Sequence, residues 1–183
     1  MKIFQVENTN VTPVQEILLI HPFKDIWERD KSKKKTTALR EFAYIEFMVS
    51  PQSSNPFAGY PENMKGGKIV ETLWIDEKWE EDALVRLAIV KYEEWLNEAS
   101  PSYRFYLAVK KSVDNTREFL ETVDLQERDE RGKPIFKVSD VLNAQTKSNE
   151  VLKNLNALKK NVEQEIFEAS KTQSNKEINP FER

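Results

Sequence analysis

The run Thr37-Ala38-Leu39-Arg40-Glu41-Phe42-Ala43-Tyr44-Ile45-Glu46-Phe47-Met48-Val49 decides the fold. At helical spacing Leu39, Phe42, Ala43, Ile45, Phe47 and Met48 wrap most of the way round the axis, so the run reads as a helix buried on several sides and central to the molecule. Ser50-Pro51 ends it, because proline disfavours helical geometry in the preceding residue and has no N–H to donate. Upstream, Phe23, Ile26 and Trp27 form the apolar face of a helix from Pro22 or Phe23 to Arg29, and Trp27-Glu28-Arg29-Asp30-Lys31-Ser32-Lys33 leads into the central run. Downstream, the loop Gln52 to Tyr60 turns back, with Phe57 and Tyr60 as anchors.

Composition narrows the chemistry. Among 183 residues the charged ones make up 32%, yet the net charge is only -3, so no global attraction to nucleic acid or membrane follows. There is no cysteine, which removes disulfides, thiolate nucleophiles and zinc-thiolate sites and fits a reducing cytosol. A single histidine leaves most metal and acid-base constellations out of reach. The first residues lack a basic segment followed by an apolar run, and no uncharged apolar stretch of about 18 residues occurs, so a soluble cytoplasmic protein with no membrane partner is expected. Four glycines and no repeated alternating β-branched runs favour an all-α fold, a helical bundle of about five helices with a long C-terminal helical arm.

In chain order, residues 1–10 read as an extended N-terminal arm, 11–124 as a helical core domain, 125–138 as a hinge, 139–172 as the arm and 173–183 as a flexible tail. Thr12-Pro13 is expected to start a short helix to His21. Pro61 to Trp74 reads as a helix weakened by Gly66-Gly67, and Asp76 as the cap of a long helix to Ala99 whose core face includes Trp79, Ala83, Leu84, Leu87, Ala88, Trp95 and Leu96. Ser100-Pro101 then starts an antiparallel helix to Val123, carrying Tyr103, Tyr106, Leu107, Val113, Phe119, Leu120 and Val123. Asp124 to Val138 reads as a hinge or hairpin in which Ile135 to Val138 form a brief strand. From Ser139 to Lys171, Val151, Leu155, Leu158, Val162, Ile166 and Ala169 recur at spacings of three and four, a heptad-like seam opposite a polar face.

Candidates for catalysis are thin. Lys65-Gly66-Gly67-Lys68 lacks the spacing and preceding strand of a phosphate loop. His21 has no paired motif and reads as a capping or packing residue, while Glu80, Glu81 and Asp82 diverge around a helix and read as helix-dipole and solubility residues. Trp27, Trp74, Trp79 and Trp95 read as core. An enzyme is not expected, nor a cofactor or metal. Two features remain. Lys31, Lys33, Lys34 and Lys35 form a basic cluster that is either a solvated loop or a contact for an acidic partner or DNA phosphates, without the aromatic interleaving that stacks bases. The seam from Val151 to Ala169 is either an intermolecular surface or a helix folded back on the core.

Trp27 to Lys33, followed by Glu41-Phe42-Ala43-Tyr44-Ile45-Glu46-Phe47-Met48 and Ser54-Asn55-Pro56-Phe57, resembles the ring-forming head-to-tail connector (neck) proteins of crAss-like and related tailed bacteriophages. The resemblance covers residues 10 to 125 and, more loosely, the C-terminal helix. It departs from the family at Asn55, between serine and proline, and at Gly66-Gly67, where uninterrupted helix is expected. The resemblance implies a structural virion protein in the neck, assembled in the bacterial host cytoplasm. It would form a homo-oligomeric ring of about twelve copies (a 12-mer) that joins the capsid portal to the tail. The implied partners are the chain itself, the portal and other neck and tail proteins, with non-specific contact to DNA in the channel. The alternative is a non-virion phage protein, DNA-associated or regulatory, that uses Lys31 to Lys35.

Overall fold

A computed structural model describes residues 3–7, 9–74 and 78–176, with side chains to 171. The protein is mainly α: among the described residues there are six α-helices, close to the number expected, and one small antiparallel sheet. The chain forms two compact units, Met1–Pro101 with Glu163–Arg183, and Ser102–Val162.

The first unit is built round α2 (Thr36–Val49), which buries Ala38, Phe42, Ala43, Tyr44, Ile45, Phe47 and Val49 and, with them, Glu41 and Glu46. Helix α1 (Phe23–Arg29) precedes it, and α3 (Glu62–Leu73) and α4 (Ala83–Ala99) pack against it. Strand β1 (Phe4–Glu7) pairs with β2 (Asn10–Pro13) in the register Phe4 opposite Pro13 and Val6 opposite Val11. The hairpin is the main departure from an all-α reading. The helix expected from Thr12 is a strand followed by a short 3-10 helix, Gln15–Leu19. The reason is packing: Ile3, Phe4, Val11 and Ile17 are buried, and Phe4 meets Phe42, Phe23 and Tyr92 with ring centroids 5.7, 6.1 and 5.6 Å apart. Burying those rings outweighs the local start signal of Thr12-Pro13.

The helix expected from Asp76 begins only at Ala83. Residues 78–82 are not helical, Asp76 itself lies outside the described residues, and the cap is Asp82, whose Oδ1 accepts the N–H groups of Leu84 and Val85 at 3.0 and 2.9 Å. Glu80, Glu81 and Asp82 therefore do not diverge around a helix. The core face is Val85, Ala88, Tyr92 and Leu96, and Leu87, expected inside, is 45% exposed. In α3 the two glycines sit within continuous helix. A Cβ on Gly66 would meet the Tyr44 hydroxyl at 3.0 Å, so glycine allows α3 to approach α2 there.

The second unit is a helical hairpin of α5 (Pro101–Thr122) and the first part of α6 (Val138–Lys176). Its turn is closed by Asp129, which accepts the N–H groups of Arg131 and Lys133 through Oδ1 at 2.9 and 2.8 Å. Gly132, at φ +75°, supplies the left-handed residue the turn requires. A bridge between Arg128 and Pro134 replaces the expected strand at Ile135 to Val138. The tail at 173–183 falls largely outside the described residues.

Candidate assembly surface

One lysine of the basic cluster, Lys35, forms part of a joint. Helix α2 starts from Lys35 in a left-handed conformation (φ 52°) with no cap from its own side chain. The cap comes from Asp30, whose Oδ2 accepts the Ala38 N–H at 3.1 Å while Oδ1 accepts the Ser32 N–H at 2.8 Å. Burial alone would raise the Asp30 pKa, but the N–H groups of Ala38, Ser32 and Thr37 outweigh it and hold the carboxyl down at about 2. In the other direction, Lys35 Nζ donates to the carbonyls of Trp27, at 2.9 Å, and Asp30, so the end of α1 is satisfied by a lysine from the start of α2. Lys35 is thus committed inside the fold, whereas Lys31, Lys33 and Lys34 are exposed. Those three offer point charges and no planar fork for reading bases.

A polar network that sequence reading missed lies beside this joint. Arg29 Nη2 donates to Glu41 Oε1 at 2.6 Å, Nη1 donates to Asp82, and Trp79 Nε1 reaches Glu41 Oε1 at 3.4 Å. Burial would lower the Arg29 pKa, but the hydrogen bonds to Glu41 and Asp82 raise it, so its charge is secure. Asp82 is held below the usual carboxylate range, because the Val85 N–H and Arg29 outweigh its burial. Nearby, Tyr44 donates to Glu81 at 3.0 Å and Arg86 donates to the other oxygen of Glu81 at 2.9 Å. Deep in the core, Tyr92 donates to Glu46 at 2.7 Å. These carboxylates are tied to cations, hydroxyls and backbone N–H groups, except that the second oxygen of Glu41, Oε2, is buried without a hydrogen-bond partner. Among the described residues no group of three or more His, Cys, Asp or Glu is placed to hold a metal ion, and no helix is long and apolar enough to cross a membrane. The one signal that pointed to buried polar groups was the presence of Glu41 and Glu46 within an otherwise apolar run.

The seam on α6 divides. Val162 and Ile166 are 0% and 4% exposed, so both are already covered within the chain, whereas Val151, Leu155, Leu158 and Ala169 are half-buried. Past Val162, α6 belongs to the first unit: Glu163 Oε1 accepts the Ser53 N–H at 2.6 Å, and Ser100 Oγ donates to Glu165 at 2.5 Å. The opposite holds in the second unit, where no residue from Lys111 to Asn161 is buried. Leu125, Ile135, Val138, Leu142 and Leu152 are 39–58% exposed. Between the helices, Val113, Thr116 and Leu120 of α5 and Val151 and Leu152 of α6 line an open slot of about 420 Å³.

Compared with protein-family models, curated proteins and solved structures, the chain matches none. Its fold and surfaces define a mainly α protein with a well-packed first unit and a long helical hairpin rich in uncovered apolar side chains.

Proposed function

We propose that the protein is a structural assembly subunit: a helical bundle whose α6 arm and α5–α6 hairpin join copies into a ring, in the head-to-tail connector of a tailed bacteriophage. The observation that carries this reading is the hairpin without a buried residue from Lys111 to Asn161. Two long helices with one-sided apolar stripes gain little from propensity alone, and uncovered apolar surface of this extent fits association. The joined capping of α1 and α2, the tied-up carboxylates and the exposed mixed charge suit a scaffold rather than a catalyst. The likeness of Trp27 to Lys33, of the central helix and of the Ser54 to Phe57 loop to connector proteins supports the phage setting.

A single subunit contact is marginal. Burial of about 500 to 700 Å² at about 25 cal/mol per Å² is largely offset by the ordering of the partners. Contacts closed on a portal share that cost through high effective concentration. Light scattering tests this: the protein alone is expected to be largely monomeric and to form a ring-sized species when portal is added. A monomer in both conditions contradicts the proposal.

A further inference from the structure

We draw no further inference here: the strongest candidate, the open apolar slot between α5 and α6 with Val113, Leu120, Val151 and Leu152 in its walls, belongs to the uncovered hairpin already described, carries both Arg117 and Glu121 in its lining, and nothing in the structure shows what covers it.

Discussion

Lys35 Nζ donates to the Trp27 carbonyl at 2.9 Å and sits 5.2 Å from the centre of the Trp27 ring, so one side chain closes the end of α1 from the first residue before α2. Lys35→Ala is expected to cost about 1–2 kcal/mol, from the lost charge-assisted hydrogen bonds and the ring contact. Lys33→Ala, on the exposed side of the same loop, is expected to change stability by less than about 0.5 kcal/mol. Urea unfolding of the two variants side by side distinguishes a joint from a solvated charge run, since equal effects contradict the joint.

Asp30 links the same joint to pH. Its carboxyl titrates at about 2 in the folded chain against an ordinary value of 3.8. The folded state therefore binds fewer protons than the unfolded one in this window. The stabilisation is complete above about pH 4 and is lost as pH falls toward 2. The stability gap between the wild-type protein and Asp30→Asn is expected to be constant from pH 7 to 5 and to shrink below pH 4, read from urea midpoints. A gap that does not change down to pH 2 contradicts the capping role.

The two glycines of α3 separate by their neighbours. A Cβ on Gly67 meets nothing within 4 Å, so Gly67→Ala is expected to stabilise by about 0.5–1 kcal/mol through helix propensity. Gly66→Ala must move the Tyr44 hydroxyl, which is 3.0 Å from the new atom and hydrogen-bonded to Glu81, with Tyr44 also packed on Trp79 at 4.7 Å. Its gain is expected to vanish or reverse. Thermal melts in which both variants gain equally contradict the close approach of α3 to α2.

Stability and assembly are expected to divide along α6. Ile166→Ala removes a buried side chain and is expected to cost about 2–4 kcal/mol. Leu152→Ser, on the slot wall, is expected to leave the unfolding midpoint nearly unchanged while weakening association with portal, measured by light scattering. Loss of stability in Leu152→Ser comparable to Ile166→Ala contradicts the hairpin as an uncovered surface.

What the sequence made legible follows the strength of local signals. The stretch from Thr37 to Val49 has so many apolar positions that only a buried helix accommodates them, and Pro51 and Pro101 mark real boundaries of α2 and α5. The N-terminal hairpin was not legible as such, because Phe4 is fixed by rings of α1, α2 and α4 that are distant in the chain. The start of α4 was misplaced because acids at a helix start look alike, and only the structure selects Asp82 through its bonds to Leu84, Val85 and Arg29. Asn55, a departure within the resemblance, proves to be a cap. Its Nδ2 donates to the carbonyls of Phe47 and Ser50 at 2.9 and 2.7 Å, and its Oδ1 accepts the Phe57 N–H at 2.9 Å. At the candidate surface, the even spacing of the seam hid its division, since Val162 and Ile166 differ from Leu155 only in what the fold brings over them.

The measurement that tests the account most directly is three-dimensional imaging of intact phage particles whose mass spectrum contains this chain. The account predicts a closed ring between portal and tail in which each α5–α6 hairpin contacts a neighbouring copy. A particle that lacks the protein, or holds it as isolated monomers inside the capsid, contradicts the account.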